Sequence, residues 1–265
     1  MLFRSGYRIR FESRTTATTQ LEVVTEGVLT RMLQTDNALS EVGLVIFDEF
    51  HERSLHADLA LALCREAQQI LRSDLRIMVM SATLNMPQLA ALLKAPVAIS
   101  DGKQYPVDIN YVGECDMMML PELTARTVMN AVKENTAGDT LVFLPGEGEI
   151  KRTADILQQH LPDFSIHPLF GMLPPQQQFA AIMPHKQGKR KVVLATNIAE
   201  TSLTIEGIKI VVDTGLGRAS KFDPKSGLSR LETVNITQDS ATQRAGRAGR
   251  LSAGVCYRMY TKASH

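Results

Sequence analysis

The chain is poor in the features of secreted and membrane proteins. Its three cysteines, Cys64, Cys115 and Cys256, are odd in number and far apart, which argues against a disulfide framework or a CxxC metal site. They read as reduced thiols used for packing. No segment approaches the roughly 18 consecutive apolar residues of a membrane helix, and the opening MLFRSGYRIRF lacks the apolar stretch of a signal peptide. The expected compartment is the cytoplasm, with no membrane partner. Charge of one sign is hardly in excess: the formal net charge is +1, so a nucleic-acid partner would have to be held by local basic patches. There is no low-complexity tract and no short repeat.

What is present is a soluble composition, 44% apolar and 22% charged over 265 residues, enough for two ordinary cores. Short apolar runs alternate with helical patterns. LEVVT (21–25), VGLVIFDE (42–49), RIMVMSAT (76–83) and VAIS (97–100) read as strands, and HADLALALCREAQQIL (56–71) as a helix. After GKQYPVDINYV (102–112) the pattern turns irregular, acidic and Met-rich, then restarts at DTLVFLPG (139–146), RKVVLAT (190–196) and IKIVVDTG (208–215). This alternation predicts an α/β fold with mostly parallel sheets in two domains, 1–105 and 106–265, as two copies of one layout. Met117 to Met119 read as core or linker packing, not a binding surface.

LVIFDEFHER (44–53) carries the first chemistry. An apolar run read as a buried parallel strand ends in Asp48 and Glu49, and ligands of open α/β sheets collect outside such strand ends. An acid there can hold magnesium beside a nucleoside triphosphate. Strands ending in solvated acids are common, so the pair decides nothing alone. HERSLH resembles a zinc-protease helix, but His51 and His56 are five residues apart, not four, and do not stack on one face. SAT (81–83) ends another strand, and helix capping is its plain alternative. TQRAGRAGR (242–250) is more specific: Gln243, Arg244, Arg247 and Arg250 recur at a spacing that lines donors along one helical side. Gly246 and Gly249 would each cost a helix about 1 kcal/mol, which implies close approach of a ligand or backbone. TNIAETSLTIEG (196–207), read plainly, is a polar loop.

TEGVLTRML, DEFH, SAT, TNIAETSLTIEG and QRAGRAGR occur in this order across most of the chain, and together they closely resemble the DEAH/RHA helicases of superfamily 2. The resemblance implies two RecA-like domains that use ATP and Mg²⁺ and act on single-stranded RNA or DNA. It implies that Asp48 holds Mg²⁺ through water, that Glu49 orients or deprotonates the attacking water, and that His51 links the nucleotide to the second domain. Ser81 and Thr83 would couple hydrolysis to movement. Gln243, Arg247 and Arg250 would approach the γ-phosphate, with Ser202, Thr204 and Glu206 facing the nucleotide. Thr25, Gly27, Arg31 and Thr196 would grip nucleic-acid phosphates. Phe50 stands where the family's name has Ala.

RASKFDPKSGLSRLETV (218–234) reads as two short strands around a DPKSG turn, with Pro224 at its start and Gly227 supplying a positive φ. In the family a hairpin here stands beside the nucleic-acid channel. One family element is missing: no GxxxxGK[ST] phosphate loop occurs in the 265 residues. The expectation is therefore a helicase-core fragment with an incomplete first domain, inactive alone and lacking the family's C-terminal accessory domains. The alternative is a non-catalytic nucleic-acid-binding remnant.

Overall fold

The computed structural model describes residues 4–81, 86–100, 102, 105–114, 116–185, 187–200, 203–224 and 227–263. The chain divides into two compact units, Met1–Ile99 and Ser100–His265. None of the described helices is long and apolar enough to cross a membrane.

The first unit runs β1 (Ser5–Ile9), β2 (Glu12–Arg14), β3 (Leu21–Val24), α1 (Glu26–Thr35), β4 (Leu44–Phe47), α2 (Leu55–Ile70), β5 (Arg76–Val79) and α3 (Met86–Leu93). β1 lies between antiparallel β2 and parallel β3, while β4 and β5 form a separate parallel pair. Ser54 starts α2 by accepting a hydrogen bond from the Ala57 amide at 2.9 Å. Ala57, Ala60, Leu61 and Cys64 recur at helical spacing and pack with Val45 and Phe47 of β4. β4 was expected to be buried on both sides, as parallel strands usually are. Only one face is: Val45 and Phe47 lie under α2, while Leu44 and Ile46 on the other face are 45% and 43% exposed.

The second unit comprises β6 (Val107–Tyr111), α4 (Leu120–Glu134), β7 (Asp139–Phe143), α5 (Glu147–His160), β8 (Ser165–Leu169), α6 (Pro175–Ile182), β9 (Lys191–Ala195), β10 (Ile208–Asp213), β11 (Leu216–Asp223), β12 (Leu228–Asn235), α7 (Gln238–Gly246) and β13 (Gly254–Arg258). Six strands make one all-parallel sheet in the order β6-β13-β10-β7-β9-β8. Its central strands are mostly apolar because both faces are covered. Val142, Val192, Leu194, Ile210 and Val212 pack under α4 and α5, and Leu141, Phe143, Val193 and Val211 pack under Ala181 of α6 and Ala245 of α7. Each such side chain contributes about 1.5–3 kcal/mol on burial. The result is a helix, sheet, helix sandwich of the RecA-like kind.

Four sequence expectations change here. VAIS forms no strand, and Val97 and Ile99 are exposed. The stretch read as irregular contains α4, whose Leu120, Thr124, Ala125, Val128, Ala131 and Val132 make a buried stripe. Met117, Met118 and Met119 are exposed and do not fill the core. Among the described residues the two units do not show one sheet layout. Cys64 and Cys256 are buried as expected, and burial pushes their thiols up to about 11 and about 12. Cys115 lies outside the described residues.

Candidate functional site

In the first unit the site begins where β4 ends. Asp48 is exposed, and its Oδ1 accepts the Glu49 amide at 2.9 Å. Glu49 is left-handed, φ 49° and ψ 36°, and opens a tight turn over Phe50–Glu52. A non-glycine residue in that region costs on the order of 1–3 kcal/mol and persists only where its surroundings hold it. They do: the Phe50 amide donates to the Met80 carbonyl at 3.1 Å, the Met80 amide donates to the Phe47 carbonyl at 2.8 Å, and the Phe47 and Phe50 rings meet edge to face at 6.0 Å. Arg53, with a positive φ of 46°, lies 5.7 Å from the Phe50 ring and pairs with Asp58 at 2.7 Å. His51, with a side chain 6% exposed, brings Nε2 to 3.4 Å from Glu49 Oε2. The acid turn is thus joined by backbone bonds to the end of β5, one residue before half-buried Ser81. Thr83 lies outside the described residues.

Thr25 precedes α1, Gly27 lies in its first turn and Arg31 at its middle, and all three are exposed. A sequence signal went unread beside them. Arg10 and Phe11 form the tip between β1 and β2, with Phe11 89% exposed and the Arg10 guanidinium 4.9 Å from its ring centre. Arg4, Arg8 and Arg14 lie in the same short segment. The alternation of Arg with aromatics in YRIRF was its trace.

In the second unit the arginine segment is not one helix. α7 ends at Gly246, and Arg247–Gly249 form a separate 3₁₀ turn, so the expected single line of donors is broken. Arg244 turns into the core, 1% exposed, with Nη1 on Asp213 Oδ1 at 2.8 Å and Nε on Glu200 Oε2 at 3.0 Å. Arg247 is buried and donates to the carbonyls of Glu200 at 2.8 Å and Leu203 at 2.6 Å. Exposed Arg250 reaches Thr204 Oγ1 at 3.0 Å. Gln243 is half-buried on α7, and Glu206 is exposed. Thr196, half-buried, ends β9 and starts the turn Asn197–Ala199. Ser202 lies outside the described residues.

The two glycines differ. A Cβ on Gly249 would stand 2.5 Å from the Tyr105 carbonyl, whereas one on Gly246 would meet nothing within 4 Å. Close backbone approach is therefore real at Gly249 only. Another approach escaped the sequence reading: the Arg218 guanidinium lies over Gly146 at the start of α5, 2.8 Å from where a Cβ would be.

Asp48 suits a hard cation, as an exposed carboxylate held by its own turn at a parallel strand's carboxyl end. For the phosphates the fit is partial. Arginine and threonine donors are present, but the backbone cradle of a phosphate loop has no counterpart in the 265 residues.

Comparison with known proteins shows the family. The model of the DEAD/DEAH box helicase matches residues 3–92, and that of the helicase conserved C-terminal domain matches residues 122–252. The chain belongs to the DEAD/DEAH box helicases. Among helicases of known sequence it is 51% identical to ATP-dependent RNA helicase HrpB of Escherichia coli, over 97% of this chain and 32% of that protein. It is 42% identical to ATP-dependent RNA helicase HrpA of Borreliella burgdorferi, over 97% of this chain and 32% of that one. The crystal structure of Escherichia coli DEAH/RHA helicase HrpB superimposes with a TM-score of 0.92 at 50% identity, covering 99% of this chain and 34% of that one. The chain thus spans about a third of the length of these helicases.

Proposed function

We propose that this chain is the part of an ATP-dependent RNA helicase that couples a nucleotide to single-stranded RNA. The observation that carries the reading is the acid turn. Glu49 is held left-handed beside Asp48 by backbone bonds to β5, a conformation whose cost makes sense where the acid has chemical work. In this proposal Asp48 holds Mg²⁺ through water, Glu49 orients or deprotonates the attacking water, and His51 steadies Glu49. Ser81 and Thr83 carry the coupling. Gln243, Arg247 and Arg250 serve the γ-phosphate, with Ser202, Thr204 and Glu206 beside them. ATP and Mg²⁺ supply a phosphoryl group and its charge neutralisation.

Thr25, Gly27, Arg31 and Thr196 are proposed to hold RNA phosphates, with Arg10 and Arg218 adding positive charge and Phe11 a stacking face. Such contacts give salt dependence and little sequence preference. The proposal includes inactivity of these 265 residues alone, since their sequence contains no GxxxxGK[ST] phosphate loop.

The test has two arms. Phosphate release is measured with and without single-stranded RNA: the chain alone shows none, and RNA-stimulated turnover at a usual enzyme rate of about 1 to 10³ s⁻¹ refutes its inactivity. Fused behind a phosphate-loop segment from a relative, the chain turns over and Glu49→Gln abolishes the turnover. RNA binding without turnover in the fusion favours the second reading, a non-catalytic nucleic-acid-binding remnant.

A further inference from the structure

β11 and β12 pair along their whole length, from Leu216 with Asn235 to Asp223 with Leu228, and form a two-stranded hairpin outside the six-stranded sheet. β12 is exposed at every residue and the outer part of β11 nearly so. The orientation of such a hairpin must be set at its base. The chain leaves the sheet at Asp213 and re-enters the body through α7, where Arg244 sits, so these two residues mark the ends of the excursion. They are joined directly. Asp213, 0% exposed, accepts from Arg244 Nη1 at 2.8 Å and from the Gly215 amide at 3.0 Å, with the Tyr260 hydroxyl at 3.4 Å from its other oxygen.

Arg244 makes further bonds on either side of that joint. Nη1 also donates to the Leu216 carbonyl, the first residue of β11, at 3.1 Å, and Nε reaches Glu200 at 3.0 Å. The guanidinium carbon lies 4.7 Å from the ring centre of Phe143 in β7. The strands are closed at the same point by the Ile236 amide on the Gly215 carbonyl at 3.0 Å. One planar group therefore ties the hairpin base, the Glu200 loop and the central sheet to α7.

We propose that Arg244 is a positioning residue whose buried pair with Asp213 clamps the β11–β12 hairpin to α7, so that the hairpin and the Arg247–Arg250 turn move as one body. The proposal deepens the functional reading above and rests on it for the hairpin's RNA partner. Packing alone is a weak reason for the pair, since buried ion pairs can often be replaced by apolar side chains of similar volume without loss of stability. The fork geometry is what a clamp needs, and lysine cannot reproduce it.

The chain contains no tryptophan, so Phe222→Trp, at a position 61% exposed on the hairpin, supplies a single fluorescent reporter. Its anisotropy decay is recorded in the full chain alone, with Arg244→Lys, and with the double change Asp213→Asn and Arg244→Met, which removes both charges of the fully buried pair and leaves only the Glu200 carboxylate, its side chain 14% exposed, without its arginine. The clamp predicts that the reporter tumbles with the body in the parent. In both variants it gains independent nanosecond motion while far-UV circular dichroism is kept, and binding of a single-stranded oligoribonucleotide weakens several-fold with a shallower salt dependence. A folded double variant whose reporter still tumbles with the body overturns the clamp. So does a lowered melting temperature with unchanged hairpin motion, because the pair is then packing. Failure of the parent to bind RNA sinks the functional reading instead, and leaves the anisotropy result to decide the clamp.

Discussion

Gly246→Ala and Gly249→Ala should have opposite effects, although the two glycines are three residues apart in one repeating motif. At Gly249 the added carbon would lie 2.5 Å from the Tyr105 carbonyl oxygen and 2.7 Å from Val107 Cγ2. Ordinary contact begins at 3.4 Å, so the turn and the start of β6 must separate by about 0.9 Å. Two backbone bonds cross that gap, Tyr105 amide to Gly249 carbonyl at 2.9 Å and Gly254 amide to Pro106 carbonyl at 3.1 Å. Overpacking of about 1–3 kcal/mol and weakening of bonds worth about 1 kcal/mol each give roughly 2–4 kcal/mol. For a domain of this size that lowers the melting temperature on the order of 10 °C. Gly246 ends α7 in helical geometry with open space at its Cβ position, so alanine there should stabilise by up to about 1 kcal/mol. Thermal melts by far-UV circular dichroism read both. Equal shifts for the two variants would refute the reasoning, since it rests on the neighbours and not on glycine itself.

Two further outcomes follow from the fold. Limited proteolysis should cut the first unit early and spare a fragment near residues 100–265, because Leu44, Ile46, Met78 and Met80 leave one side of the β4–β5 pair exposed; equal resistance of both units would contradict this. His167, whose ring bonds Ser165 Oγ at 2.8 Å, is held below its usual titration range by burial, with Lys191 and His185 adding repulsion. The unfolded chain then binds that proton more readily than the folded one, so the stabilisation is full above about pH 6.5 and is lost as pH falls through the folded value. His167→Gln should flatten the pH dependence of urea midpoints on the acid side, and parallel curves for parent and variant would count against the assignment.

Much of this architecture could be read from residue order. β7, β9 and β10 are runs of Val, Ile and Leu because both faces of their sheet are covered, and such runs need no partner to be recognised. The turn residues of DPKSG announced the hairpin. β6 and β8 escaped because an exposed edge strand such as VDINY, or one containing Pro168, carries little apolar signal. α4 was hidden by small buried residues, Thr124, Ala125 and Ala131, that a search for large apolar side chains passes over. In the candidate site, the acids and arginines were visible as residue types. What no spacing rule could supply was the inward turn of Arg244, because its partners Asp213 and Glu200 come from other segments and exist as partners only after the sheet has formed.

The left-handed backbone at Glu49 sets two demands against each other at one position. Glycine adopts φ 49° without the side-chain penalty, so Glu49→Gly should make the first unit more stable while deleting the carboxylate. A lineage selected for persistence of the folded chain alone would drift there towards glycine or asparagine. Keeping glutamate requires an advantage that folding does not provide, and under the role proposed for Glu49 residue 49 is where loss of that role would become visible in descendants of this chain.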